Sequence, residues 1–461
     1  MITMETTAII QHEAFELTKD FVEKLKVNIA QNNDSEVKNS LSDLFPADIT
    51  AVLDELEGSE CHYIIGLLDT DISAEIISNL DTPERKKLFK NFTSQEIAEF
   101  VNIIDSDDAA DILNEQPLVI REEVIALLKD REQARFILDL IHYDEDCAGG
   151  LMQKELVKIN VKQSVTECVD EIRKQAEDVE NVHSVYVVDD DNILLGRVSL
   201  KKIILAKRGS KIADIFSDEI ISVKSSDTGE EVAEIMQKYD LEAVPVVNIQ
   251  NRLLGRITID DVVDFITEQA QEDISAMAGI TEVVEEDDSI WMLVRSRLPW
   301  LLVGMAGSFL AAKIISLFES QVALIPALAA FIPLIGSTGG NVGIQSSALI
   351  VQSLADKSGM DTALGERMKK VLIVAILNGL IAAVFAFFGT YLLQQKIDFS
   401  LVMSLSIFSI VMLASIMGTI TPLVLDRFKI NPAIASGPFI TTTNDLLGFG
   451  VYFMIVYWLL G

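Results

Sequence analysis

Beyond residue 290 the chain carries apolar runs too long for ordinary core helices, at about Leu298 to Leu317, Val322 to Leu354, Val371 to Leu393, Leu401 to Leu425 and Ala433 to Leu460. A helix crossing a bilayer needs about 20 such residues, so five spans fit. The loops fix their direction. Arg295 and Arg297 precede the first span, Lys357, Arg367, Lys369 and Lys370 fall between the second and third, and Arg427 and Lys429 fall between the fourth and fifth. Basic loops stay in the cytosol, which puts the N-terminus inside and, with five spans, the C-terminus outside.

Charge divides the chain at the same place. Of 37 Lys and Arg and 70 Asp and Glu, ten and seven lie from Trp291 onward, so the first 290 residues carry −36 and the rest +3. An excess of carboxylates repels nucleic acid and anionic lipid and draws cations. Cys61, Cys147 and Cys168 are widely spaced, without a CxxC pair, and read as reduced cytosolic thiols. His12, His62, His142 and His183 are equally scattered and give no zinc or copper pattern. The acidic N-terminus does not resemble a secretory signal.

Residues 1–145 show helical spacing, as in Ile72, Ala74, Ile76, Ile77 and Leu80, with short units that each begin at a Ser, Thr or Asp able to cap a helix. Stacked short helices are expected. Residues 146–264 are β-rich and contain a direct repeat. VYVVDDDNILLGRVSL from Val185 aligns with VPVVNIQNRLLGRITI from Val244 at a constant offset of 59 residues. Each unit reads as strand, polar turn, strand and helix, and two such halves pack together to bury their sheets. The pair resembles CBS domains, which implies an adenine nucleotide site at Thr258 and Asp261 of the second half. The first half has Ser199 but Lys202 in the acidic place. Residues 265–290 form an acidic connecting stretch with Glu268, Glu272, Asp273, Glu282, Glu285, Glu286, Asp287 and Asp288, and with helical spacing through Met277.

The membrane part, residues 291–461, holds two unusual segments. Pro333 to Ala355 is interrupted by glycines and a proline. Such a break is tolerated in a bilayer where the backbone lines protein or a watery cavity. Asn341 and Gln345 lie four apart on one helical face there, near Ser337, Ser346 and Ser347. Close helix packing through small residues would produce the same pattern. In the fifth span, Asp445 is the one carboxylate inside any predicted span. If a helix begins at Pro432, it lies roughly 20 Å along, near the bilayer centre. A charge at that depth costs at least ~2.5 to 3.5 kcal/mol and needs a partner, a wet cavity or an ion. Lys313, the lone base in the spans, is near the outer end of the first.

STGGNVGIQS, SGPFITTTNDLLG, AGGLM and RLPWLL, in the order acidic helical domain, CBS pair, acidic helix and five spans, resemble the MgtE family of magnesium channels over essentially the whole chain. The resemblance implies an all-α helical-repeat N domain, an α/β tandem CBS pair, a connecting plug helix and a five-helix transmembrane domain. It further implies a homodimer in the cytoplasmic inner membrane, with a pore on the two-fold axis lined by the second and fifth helices. Asp445 matches the pore aspartate, and Asn341 belongs to the motif of the second span. Magnesium sites fall on Asp107, Asp111, Glu230, Asp240, Asp261, Asp264 and Glu272, and less clearly on Glu60. Where relatives are acidic before the proline opening the fifth span, this chain has Asn431, so an ion shared between plug and pore mouth is weaker or differently made.

Magnesium takes octahedral oxygen ligands and sheds water reluctantly, which matches a pathway offering carboxylate and carbonyl oxygens rather than thiols or imidazoles. Two copies of Asp445 would form a cation-selecting ring. No nucleophile and base arrangement or phosphate loop appears, so an enzyme is not expected. Two other readings share parts of the pattern: a membrane-anchored CBS nucleotide sensor, and a coupled divalent-cation carrier. Lys202 and the midplane Asp445 count against the sensor; the carrier shares every pore feature.

Overall fold

Helical spacing in the acidic N-terminal part becomes ten short helices in the structure, a computed structural model that describes residues 15–175, 179, 182, 184–207, 209–282, 284, 289–355 and 364–460. They are α1 (Lys19–Ala30), α2 (Asp34–Leu41), α3 (Pro46–Leu53), α4 (Gly58–Leu67), α5 (Thr70–Ser78), α6 (Thr82–Phe89), α7 (Ser94–Val101), α8 (Ser106–Asn114), α9 (Leu118–Leu127) and α10 (Arg131–Leu140). Polar caps start several of them: Thr93 and Glu96 form a capping box on α7, and Asp130 accepts from the first turn of α10. None of these helices is long enough to be stable alone, so packing must hold them. Accordingly α3 packs on α5, α5 on α7 and α7 on α9, around Ile49, Val52, Ile76, Ile77, Ile97 and Val101.

The repeat becomes two similar three-stranded sheets. In the first, β1 (Lys158–Asn160) lies parallel to β2 (Val185–Val188), which pairs antiparallel with β3 (Leu194–Val198); α11 (Val165–Gln175) and α12 (Leu200–Leu205) complete it. In the second, β4 (Val223–Lys224), β5 (Ala243–Val247) and β6 (Leu253–Thr258) repeat that order, with α13 (Gly229–Tyr239) and α14 (Ile259–Ala278). Asn192 and Asn251, equivalent positions of the repeat, both adopt the left-handed conformation (φ 63° and 60°) that asparagine tolerates. Each reaches across to the other half. Asn192 Nδ2 donates to the carbonyl of Leu253 at 2.7 Å, and Asn251 Nδ2 to that of Leu194 at 3.1 Å. The hairpin turns are thus the clasp between halves.

The chain separates into two compact units, residues 1–266 and 267–461. In the second, five helices among the described residues are long and apolar enough to cross a membrane: α15 (Ile290–Ser316), α17 (Ala327–Ala355), α18 (Leu364–Gln394), α19 (Ile397–Arg427) and α20 (Pro438–Leu460). The short α16 (Glu319–Leu324) links the first two. Over half of the apolar window of α19 is buried against 11% for α15, so α19 is the central helix of this unit. It packs on α17, α18 and α20 around Ile335, Ile407, Ile410 and Tyr452.

Two expectations change here. The fifth span is not one helix from Pro432: Pro432–Ser436 is a 3-10 turn, and α20 begins at Pro438. Asp445 is therefore seven residues into α20, roughly 10 Å along it rather than 20 Å. The second span starts at Ala327 and keeps helical continuity through Pro333. Of the residues singled out in sequence, His12, His183, Glu285, Glu286, Asp287, Asp288 and Lys357 lie outside the described residues, as does the side chain of Arg367.

Candidate functional site

The glycines of α17 form the floor on which α20 lies. A Cβ at Gly336 would come within 3.1 Å of Asp445 Oδ1, one at Gly340 within 3.5 Å of Thr441 Cγ2, and one at Gly343 would collide with Asn444 Nδ2 at 1.9 Å. Glycine here permits close approach of two helices. The adjoining stripe of α17, Ser337, Asn341 and Gln345 at four-residue spacing, is exposed. Asp445 itself is partly exposed. A carboxylate and a row of amides and hydroxyls thus border one side of the α17 and α20 pair. In a bilayer such groups require water, protein or an ion rather than lipid.

Below this pair lies the end of α14. Its last turn closes at Gly279 (φ +76°), and a Cβ there would meet Pro438 Cγ at 2.6 Å. A Cβ at Gly437 would meet the carbonyl oxygen of Met277 at 2.5 Å. Glycine thus lets the end of α14 approach the Pro438 ring on one side and the Gly437 backbone on the other. Asn431 caps the 3-10 turn through Oδ1, which accepts from Ala433 N at 2.8 Å, and its Nδ2 donates to Asp273 Oδ1 at 2.9 Å. Where a pair of carboxylates would need a cation to bridge them, amide and carboxylate join directly.

A second acidic site is built on α8. Its inward face is Ala109, Ala110, Ile112 and Leu113, and the same packing draws Asp107 in to 6% exposure. Asp107 Oδ1 is buried without a hydrogen-bond partner. Burial, then Asp261, then Asp108, Asp105 and Glu155, push its carboxyl well above the usual range. Burial and Asp261 push Asp108 up to about 6, against the pull of Arg85. Asp261 is also raised by burial to about 6, although it accepts from Thr258 N at 3.1 Å and from Thr258 Oγ1 at 2.5 Å. Asp111 is raised by burial and by Glu145, again opposed by Arg85. Arg85 is locked by Glu115, with Nη2 to Oε1 at 2.7 Å, and by the carbonyl of Leu80.

Of the other sequence candidates, Asp264 still acts on this cluster, its charge adding to the repulsion that raises Asp108. Asp264 is exposed, and its carboxyl is raised by partial burial, Asp260 and Asp81. Glu230 and Asp240 are exposed at opposite ends of α13, about 15 Å apart along the helix. Glu60 is engaged in a capping box, accepting from Glu57 N at 3.0 Å. Glu272 is exposed on α14 and accepts from Gln269. Asp240 is the left-handed C-cap of α13. Among the described residues no three His, Cys, Asp or Glu side chains are arranged to hold a metal ion.

A magnesium transporter of Thermus thermophilus is 31% identical over 449 residues, covering 95% of this chain and 99% of that one. The chain belongs to the MgtE family. A second MgtE relative, the magnesium transporter of Enterococcus faecalis, is 35% identical over 70% of this chain and 71% of its own length. The MgtE family model described as a divalent cation transporter matches residues 332–455, the MgtE intracellular N domain residues 44–146, and CBS domains residues 148–209 and 212–268. The first range holds Asn341, Gln345, Asn431 and Asp445. A solved MgtE cytosolic domain, of a Mg2+ channel in complex with ATP, is 30% identical with a TM-score of 0.50 and covers 53% of this chain and 99% of that structure. As an MgtE family member with five long apolar helices, the chain is a multi-pass membrane protein.

A hard divalent cation suits the α8 cluster by its chemistry. The donors are carboxylate oxygens, one of them orphaned, and magnesium binds through one or two carboxylates while keeping several waters. Sequence reasoning missed Asp108, Arg85 and Glu115 here, and the contacts of Asp273 and Asn444 in the second unit. The run SDDAADIL carried a signal, since Asp108 stands three before Asp111 on one helical face. Arg85 and Asp273 gave none, because their partners are far away in the chain.

Proposed function

We propose that this protein carries magnesium across the cytoplasmic membrane through a pore formed by two copies, and that cytosolic magnesium closes it. The reading rests on Asp445, a carboxylate of α20 lying against Gly336 beside the exposed stripe of Ser337, Asn341 and Gln345. Two such stripes facing across a two-fold axis would line a wet path for a hydrated ion, with paired carboxylates selecting cations. The acidic N-terminal part lies in the cytosol and the C-terminus outside. The protein performs no covalent chemistry. Asp107, Asp108 and Asp261 would hold the regulatory ion, and an adenine nucleotide would bind at the CBS pair near Thr258. Single-channel recording in a gradient of magnesium alone tests this. Unitary currents are expected; silent bilayers with proton-linked uptake would mean a carrier, and no uptake at all a tethered sensor.

Protons should substitute for magnesium at the acidic site. Carboxyls whose folded pKa exceeds the unfolded value near 3.8 bind protons more tightly in the folded state. Without divalent ions, the stability they contribute is therefore absent well above pH 6, grows as pH falls through about 6, and is complete below about 4. Hydrogen exchange of Ser106–Asn114, corrected for the intrinsic pH effect, should slow between pH 7.5 and 5.5. Asp107→Asn should slow it at pH 7.5 already, because the amide supplies a donor to its neighbours and removes a repelling charge. Equal exchange in parent and variant would contradict the cluster.

The Asn431 to Asp273 bond predicts a contact at the pore mouth that needs no cation. Asn431→Asp replaces it with two carboxylates. Closure should then require more magnesium, since each like-charge pair must first be bridged. Flux measured against cytosolic magnesium should show the closing concentration rising about tenfold, the equivalent of one charge-assisted hydrogen bond of ~1.5 kcal/mol. An unchanged or lowered closing concentration would exclude the direct contact.

A further inference from the structure

Asn444 precedes Asp445 on α20 and is only 3% exposed. Its Nδ2 donates to the carbonyl of Gly339 at 3.3 Å, while its Oδ1 is buried with no hydrogen-bond partner. A buried carbonyl without a donor is costly, more so where no water can reach it. An apolar side chain of the same branched shape would carry no such cost. The amide is thus poorly explained by stability.

Its surroundings give it a different role. Gly343 leaves the space the amide occupies, since any Cβ there would overlap Nδ2 at 1.9 Å. Gly339 presents the accepting carbonyl one turn earlier. The side chain is therefore a key between two glycines of α17, with one directional bond. Such a key fixes both the rotation of α20 about its axis and its height along α17. Asp445 is the next residue, so a turn or slip of α20 carries its carboxylate away from the Gly336 face.

We propose that Asn444 is a positioning residue of the ion pathway, holding Asp445 in its place beside Gly336. This rests on the reading of Asp445 as the pore carboxylate. The Asn444 oxygen is closed off from solvent and acts through Asp445, not as an ion ligand.

The test compares the full-length parent, Asn444→Leu, Gly343→Ala and the double variant in proteoliposomes, measuring initial magnesium uptake against concentration and the preference for magnesium over cobalt. Asn444→Leu should fold at parent yield and raise the half-saturating magnesium about three- to tenfold, the scale of one interhelical bond in a membrane. Its preference for magnesium should narrow. Gly343→Ala, which displaces the amide from the other helix, should do the same, and the double variant should be no worse than either single one. A lower maximal rate with parent half-saturation and selectivity would mean a structural role only and would overturn the proposal. Should Asn444→Leu fail to fold, Gly343→Ala alone decides by the same readouts. Parent-like uptake in Asp445→Asn would instead remove the pore reading itself, an outcome separate from parent-like behaviour of the Asn444 variant.

Discussion

Asp445→Asn should reduce magnesium permeation to background while leaving the amount of folded protein in the membrane unchanged. The two isosteric side chains fill the same space against Gly336 and Phe449, so packing of α20 on α17 is preserved. Losing an intramembrane charge eases insertion, since a carboxylate within a span costs up to ~2.5 kcal/mol or more towards its centre. What disappears is the field. A divalent ion about 5 Å from one carboxylate, at an effective dielectric constant of about 20, gains on the order of 5 kcal/mol, and a pair of carboxylates twice that. A neutral amide offers a dipole in place of that charge, too little to hold magnesium among its waters in a narrow path. Isotope or dye-reported uptake, normalised to protein in the membrane, gives the answer. Undiminished uptake at normal expression would refute Asp445 as the pore residue. Asn341→Ala, on the exposed stripe, should weaken transport less, because it removes a polar contact and no charge.

Neutralising Asp261, Asp264 and Glu272 together should leave the pore conducting at cytosolic magnesium concentrations that shut the parent. The first 290 residues carry a net charge of −36, and burial first, then neighbouring carboxylates, already make Asp107, Asp108 and Asp261 resist ionisation. An ion bound among them reverses the sign of that interaction. It can shift the open and closed populations only by its preference for the compact form, so several weak sites acting together give steep closure. Removing Asp261 takes one of the three ligating carboxylates, and removing Asp264 and Glu272 lowers the negative charge around them, so much of that preference is lost. Flux against cytosolic magnesium, with limited proteolysis of residues 265–277 in parallel, should lose both the closing phase and the ion-induced protection. Retained closure in the triple variant would assign the acidic surface to solubility and move the gate elsewhere.

Much of this was legible in the sequence because it follows local rules. Period 3.6 and polar caps gave the short helices, and the 59-residue repeat gave two equivalent halves. The length of the apolar runs gave five spans. Asp445 stood out because lipid makes any carboxylate conspicuous. The start of the fifth span was misjudged where local rules run out. Pro432 looked like the first residue of a helix, yet the chain makes a 3-10 turn and restarts at Pro438. Ala433, Ala435 and Ser436 are buried there, and the close approach of Gly437 to Met277 sets that geometry.

The sequence by itself determined the order of parts, the number of spans, the charge division, and the identity of Asp107, Asp111, Asp261 and Asp445 as acids worth testing. Only the tertiary structure decided how they are used. It left Asp107 Oδ1 without a partner, set Arg85 against Asp108 and Asp111, joined Asn431 to Asp273 across 158 residues, and keyed Asn444 to Gly339 across 105. The physical reason is range. Helix periodicity, capping and hydropathy are properties of a few neighbouring residues, whereas a buried hydrogen bond or an unscreened charge depends on which distant segment packing brings within a few ångströms.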